Sequence, residues 1–446
     1  MLSWMRRAIF HAPPVGAIQT EITMKLRVLA SALVIAGLAT GAAAQSSIEK
    51  MKQMRVATTD LNLPLVPQTG KNADAIRNNL KKVKLPPGFE IDLYAIVPDA
   101  RHMAVAPSTN MLFVGTRKTT LWAVTDRNSD GIADEVKPFA PSLNFKQPNG
   151  VCWTKDGFLI VVEHNRVLNF PAAEFFYEGP DVAVIEVVPQ GKLVPVDEES
   201  YNHGARTCRV ADDGKLYITL GQPHNVQPKE KIALYESLGI GGVVRMNPFD
   251  GSGREVFARG MRNPVGIAVN PKDKTIWTTD NQTDGMGDDT PPGELNRLTV
   301  AGAHYGYPWY CGRTKVTDAA AGYKLSEMPP PANIVWPQVE LAPHAADLGL
   351  TFYTGTKFPA KYQGGIFIAE HGSWNRTVPI GYRIMFTSLK ADGTADKTEV
   401  FADGFLDKDT GIALGRPVDV AQLKDGSLLV SDDFAGAIYR IKYTGN

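Results

Sequence analysis

From residue 86 onward, apolar residues come in short or alternating runs broken by polar turns, and no amphipathic helix longer than about three turns stands out. Met103-Ala104-Val105 leads to Met111-Leu112-Phe113-Val114 and Leu121-Trp122-Ala123-Val124. Asn149-Gly150-Val151 leads through Asp156-Gly157 to Phe158-Leu159-Ile160-Val161. The order recurs from Thr207 through Asp213-Gly214, from Val265 to Thr275-Ile276-Trp277, and from Leu348 through Gly364-Gly365. It recurs a last time from Val418 through Asp425-Gly426 to Leu428-Leu429-Val430 and Ile438-Tyr439-Arg440-Ile441. Each Asp-Gly is a tight hairpin signal between strands. Six repeats of this kind predict an all-β chain folded as a six-bladed β-propeller, with seven blades or paired jelly rolls as the alternatives.

The segment before residue 86 has a different texture. Met24-Lys25-Leu26-Arg27, the uncharged run from Val28 to Leu38 and Ala42-Ala43-Ala44 read as a secretory signal peptide cut near Ala44. The run is too short for a comfortable span of about 20 residues. Residues 1–23 fit neither reading, and Met24 is the expected start. Residues 45–85 are polar without a sustained period and form an N-terminal arm. The expected organisation is therefore 1–44 signal peptide and upstream segment, 45–85 arm, and 86–446 propeller. A periplasmic or secreted location follows, with no stable membrane insertion after cleavage.

Charge narrows the partners. The chain carries 47 basic and 47 acidic residues. Without Arg6, Arg7, Lys25, Arg27 and Glu21, which lie in the excluded segment, 43 basic and 46 acidic residues remain. That balance does not attract nucleic acid or an anionic membrane, and a small or neutral partner suits it better. The three cysteines, Cys152, Cys208 and Cys311, form no CxxC and no haem-attachment motif. One disulfide is compatible with an oxidising compartment, and the spacing leaves its partners open.

Propellers gather loops from different blades at one end of the channel, so the insertions carry the candidate chemistry. Asp126, Asn128, Asp130 and Asp134, with Gly131 at the sixth position, form the first half of an EF-hand-type calcium loop. Lys137 stands where such a loop wants Glu, and a solvated turn is the alternative. The segment 280–296 is dense in carboxylates, among them Asp288, Asp289 and Glu294. Such a loop repels itself unless a cation neutralises it, and hard oxygen donors favour calcium. Arg262-Asn263-Pro264 offers a guanidinium beside an amide, although Arg-Asn-Pro is also an ordinary turn. His203, on the Gly-flanked loop Tyr201–Arg206, is poised to meet a substrate. His102, His164, His344 and His371 compete for that role.

Taken in order, these motifs resemble a known family. Asp213-Gly214-Lys215-Leu216-Tyr217, Arg262-Asn263-Pro264 before a calcium-type loop, Glu294-Leu295-Asn296 and His304-Tyr305-Gly306-Tyr307-Pro308 look like the PQQ-dependent glucose/sorbosone (soluble aldose sugar) dehydrogenases. The stretch from Tyr353 through His371-Gly372-Ser373-Trp374-Asn375-Arg376 to Gly381-Tyr382-Arg383 is similar to the sorbosone and pyranose branch. The resemblance runs from about Leu85 to Tyr443. It implies a quinoprotein in which pyrroloquinoline quinone (PQQ) lies at the channel mouth and takes hydride from a hemiacetal or aldehyde carbon of a sugar. It assigns the general base to His203 and the cofactor contacts to Arg262, Asn263, Arg416 and His371. Gln147, with Asn149 beside it, falls on the substrate side. Calcium is placed in the 280–296 loop. His371 stands roughly where the glucose branch has a lysine, and Gln222-Pro223-His224-Asn225 also departs from that branch. With no haem motif, a separate electron acceptor, a cytochrome or a quinone, is implied. The rivals are a lactonase-like hydrolase with a catalytic calcium and a propeller that only binds.

Overall fold

The computed structural model describes residues 54–58, 63, 65–178 and 181–445. The chain divides into units 1–54 and 55–446, and the first lies almost wholly outside the described residues, as does the expected signal peptide.

Residues 89–443 form six antiparallel four-stranded blades; Met54–Thr58 adds a fifth strand to the edge of one, and a short parallel strand extends another. The innermost strands are Met103–Val105, Gly150–Trp153, Cys208–Val210, Asn263–Val269, Asp347–Phe352 and Pro417–Gln422. We number the blades one to six in that order. The inner strands touch one another in a closed circuit, and each coincides with the opening of one sequence repeat. Specific contacts link the ring. Val151 donates its N–H to His102 Nδ1 at 3.1 Å, and Thr279 Oγ1 donates to the Leu348 carbonyl at 2.7 Å. Met103 donates its N–H to Asp419 at 2.9 Å. A disulfide joins Cys152 of blade two to Cys208 of blade three, with Cα atoms 5.9 Å apart. Gly349 is required at the junction of blades five and six, because a Cβ there would lie 2.0 Å from Asp419 Oδ1.

The core lies between blades. Six separate apolar clusters fill the six blade interfaces, from Phe113, Phe139 and Phe170 between blades one and two to Phe367, Phe401 and Tyr439 between five and six. A central strand is therefore covered on both faces. That is why Leu159–Val162 and Leu216–Leu220 are buried throughout and read as continuous apolar runs.

Two features go beyond the sequence expectation. The outer strand of blade six is the N-terminal segment Phe89–Ile96, paired antiparallel with Ala437–Tyr443 from Ile96↔Ala437 to Phe89↔Tyr443. The arm holds a helix, Lys71–Leu80, whose Ala73, Ile76 and Leu80 enter the cluster between blades five and six. Among the described residues, no helix is long and apolar enough to cross a membrane.

Candidate functional site

All six inner strands run the same way, so the segments just before them converge at one mouth of the channel. The loops between the second and third strands of each blade reach the same end. Two adjoining cavities of about 250 and 220 Å³ open there and share Arg117, His203, Asn263 and Leu348.

His203 sits before the inner strand of blade three with a left-handed backbone, φ 54°. Its Nδ1 lies 2.5 Å from the Gln222 carbonyl. A carbonyl only accepts, so Nδ1 carries the proton and Nε2 keeps its lone pair. Burial, with help from Arg262, lowers the pKa to about 4, so the ring is neutral at neutral pH. Gly221 backs this arrangement. A Cβ there would stand 2.7 Å from His203 Cβ and 2.4 Å from Asn263 Oδ1, so a glycine lets the two residues meet.

Arg262 and Asn263 enter from blade four, and both main-chain N–H groups are tied to the buried Asp280. The Arg262 guanidinium donates to the Asn225 carbonyl at 2.9 Å, to Asn225 Oδ1 at 2.7 Å and to the Asn281 carbonyl at 3.1 Å. Nη2 also donates to Asp284 Oδ2 at 3.5 Å, so three residues fix the fork.

His371 lines the second cavity. Its Nε2 lies 2.7 Å from Asp433, which also takes Arg101 at 2.5 Å. Those two partners hold the Asp433 carboxyl far below its usual range despite burial. Arg416 borders neither cavity. Its guanidinium donates to the main-chain carbonyls of His371 at 3.0 Å and Gly372 at 2.6 Å and lies over the Tyr382 ring. Gln147 and Asn149 are buried behind the mouth. Gln147 Oε1 faces His164 Nδ1 at 2.8 Å. Asn149 joins Arg101 to the Arg206 carbonyl and so links three blades.

The expected metal ligands do not gather. Among the described residues, no group of three or more His, Cys, Asp or Glu side chains converges to hold a metal. The loop with Asp126, Asn128, Asp130 and Asp134 joins the third and fourth strands of blade one, on the face opposite the cavities. Its oxygens accept its own main-chain N–H groups, from Gly131 at 2.9 Å, Asp130 at 2.9 Å, Ile132 at 2.8 Å and Arg127 at 2.7 Å. The 280–296 segment separates in the same way. Asp288 and Asp289 meet Arg376 and Thr377 at the loop tip. Glu294 is buried in a strand, where Gln282 Nε2 bridges it to Asp280 with two 2.8 Å bonds. Burial raises both pKa values, to about 7 for Asp280 and, with repulsion from Asp280 added, to about 8 for Glu294.

The structure adds residues that the motif reading missed. Arg117, Asn281, His344, Asp347, Trp374 and Asn375 all line the first cavity. Trp374 is 77% exposed although it borders the cavity. Of these, Asn281, His344 and the Trp374-Asn375 pair stood within patterns visible beforehand.

A six-bladed propeller with a polar cavity at one channel mouth, lined by a neutral histidine and two guanidinium groups, defines a class of ligand-binding propellers. The family model described as TrAA12-like matches residues 83–444, and the chain belongs to that family. The chain is 37% identical over 250 residues to an uncharacterised protein of Borreliella burgdorferi, covering 55% of this chain and 62% of that one. It is 25% identical over 286 residues to the pyrroloquinoline quinone-dependent pyranose dehydrogenase of Coprinopsis cinerea, covering 52% of this chain and 37% of that enzyme. A holo structure of the pyranose dehydrogenase PQQ domain from Coprinopsis cinerea has a TM-score of 0.63 at 18% identity, over 81% of this chain and 97% of that one. A calcium structure of the family AA12 enzyme from Trichoderma reesei has a TM-score of 0.63 at 20% identity, over 81% and 97%. At these identities the solved structures show the shared fold.

Proposed function

We propose that this protein is a calcium-dependent PQQ sugar dehydrogenase in which His203 is the general base. The observation that carries the reading is His203 itself, neutral, with Nδ1 committed to a carbonyl and Nε2 left as the acceptor beside Arg262 and Asn263. PQQ is small, planar and tricarboxylate, and burying its charges without partners would be costly. Arg117, Arg262, Asn263, Asn281 and Asn375 supply cationic and amide groups around one cavity, so the residues fit such a ligand. When bound, PQQ would supply the electrophilic carbonyl carbon that accepts hydride. His203 would take the hydroxyl proton at Nε2, and Arg262 and Asn263 would orient the oxygens facing them. Loop 280–296 would hold calcium through its main-chain carbonyls, and calcium is the ion named for one structure of the Trichoderma reesei relative.

The substrate is a sugar with an oxidisable hemiacetal or aldehyde carbon, of the sorbosone or pyranose class, and a separate cytochrome or quinone takes the electrons. The Cys152–Cys208 disulfide supports a periplasmic or secreted location. The test is a titration of purified apo-protein with PQQ, followed by absorbance, with calcium and then with EDTA. Saturable binding that calcium strengthens and EDTA weakens is expected, followed by sugar-dependent reduction of an artificial acceptor. A wild type that binds no PQQ in calcium, yet opens sugar lactones, would make the chain a lactonase-like hydrolase.

A further inference from the structure

His203 lines both cavities at the mouth, the first with Arg262 and the second with Tyr201. Tyr201 also lines a third, of about 310 Å³. Its wall comes from Lys146 before the inner strand of blade two and His164 between the second and third strands of that blade. Gln190 and Glu199, on the way into blade three, complete it. Arg262, His203, Tyr201 and His164 thus follow one another along a row of adjoining hollows. One frame holds the row. Arg206 donates to the main-chain carbonyls of His164 at 3.2 Å and of His203 at 3.0 Å. Gly204 lets the His164 ring pack against the same loop, since a Cβ there would lie 2.6 Å from it.

Tyr201 stands between the second and third hollows, 72% exposed, its ring tilted against His164 at 5.6 Å. It presents an apolar face to the cleft, while Lys146, Gln190 and Glu199 present donors and acceptors around it. Lys146 and Glu199 carry opposite charges, and burial, then Arg206, lowers the His164 pKa to about 4 and leaves it neutral. Such a hollow suits an uncharged ligand with an apolar face and a hydroxyl rim, which is the chemistry of a sugar ring.

We propose that the third hollow is a second sugar subsite, where Tyr201 packs against the ring next to the one oxidised, so that the substrate is an oligosaccharide. This rests on the sugar dehydrogenase reading above. Only the reducing-end ring has a hemiacetal carbon, and that carbon must reach His203. The rings linked to it therefore extend away from His203, and the row of hollows leads them past Tyr201.

The experiment uses the full chain loaded with PQQ and calcium. Steady-state kinetics and calorimetric binding are measured with glucose, cellobiose and maltose, for wild type, Tyr201→Ala, Tyr201→Phe and Gln190→Ala. At least one disaccharide should have a KM and Kd roughly three- to tenfold below those of glucose, the span of one aromatic packing contact. Its kcat should stay within about twofold, because the second ring adds binding away from the reacting carbon. Tyr201→Ala should remove that advantage and leave glucose unchanged, and Tyr201→Phe should keep it. Gln190→Ala, off the loop that carries His203, should weaken the disaccharide about threefold and spare glucose. Disaccharides no better than glucose in the wild type would overturn this proposal alone. So would a Tyr201→Ala variant that weakens glucose and disaccharide alike, since Tyr201 would then only support the His203 loop. Should Tyr201→Ala not fold, a Gln190→Ala variant without selective loss overturns it. A wild type that neither binds nor oxidises any of the three sugars would bring down the sugar reading and this subsite together.

Discussion

The role proposed for His203 depends on one hydrogen bond and a lowered pKa, and both are set by its immediate surroundings. The Gln222 carbonyl chooses the tautomer, and burial beside Arg262 keeps the ring neutral. Replacing His203 with Gln should leave PQQ affinity within about threefold while turnover falls by about 10²–10⁴, the range for a positioned base. Absorbance titration and steady-state kinetics on one preparation check both halves, and unchanged turnover removes His203 from the role. This residue could be read in the chain because it stands on a Gly-flanked loop just before a repeat. Asp347 could not, because an Asp at a strand start is ordinary until its neighbours are known. Gly293, fifty-odd positions away, packs against its carboxyl.

At the scale of elements, each blade delivers one short segment to the mouth, and the loops between blades decide how that segment is held. Arg416 shows the difference. Family resemblance makes it a cofactor contact, yet its fork secures the carbonyls of His371 and Gly372 at the base of the 371–381 loop. That loop carries Trp374 and Asn375 into the cavity wall. Replacing Arg416 with Ala should therefore lower stability by about 1.5–3 kcal/mol, the value of hydrogen bonds to a charged group. Lysine should rescue little, since one ammonium does not reproduce a two-pronged fork. Thermal melting of both variants tests this, alongside PQQ affinity. Lost affinity with an unchanged melting point would return Arg416 to the cofactor. The half-EF loop carries a similar lesson. Its acidic spacing was plain, but the order of strands puts it on the far face, where its oxygens brace their own turn.

Across the whole molecule, buried ionisable groups give stability a defined pH dependence. Asp280 and Glu294 have folded pKa values raised to about 7 and about 8, above their unfolded values. The folded state therefore binds more protons, and their contribution is lost as pH rises through that range. His164 and His203, lowered to about 4, act oppositely, but only between about pH 4 and 6.5. Between pH 6.5 and 8 the carboxylates alone remain, so the melting temperature should fall as pH rises. Asp280→Asn should flatten that slope. Calorimetry at half-unit pH steps measures it, and a melting temperature that climbs from pH 6.5 to 8 would contradict the sign.

Hairpins and strand runs were determined locally. Asp-Gly turns and continuous apolar runs depend on neighbours a few residues away, so the all-β class, the six repeats and the loop positions of His203, Arg262 and Asn263 were legible in the chain. Closure of the ring was not, because Phe89–Ile96 pairs with Ala437–Tyr443, a partner far away in the sequence. The same long-range step chose Cys208 as the partner of Cys152, scattered the carboxylates of 280–296 among separate partners, and placed Asp347 in the cavity wall. Those outcomes depend on which side chains the closed ring brings within hydrogen-bond distance, and no local period records that.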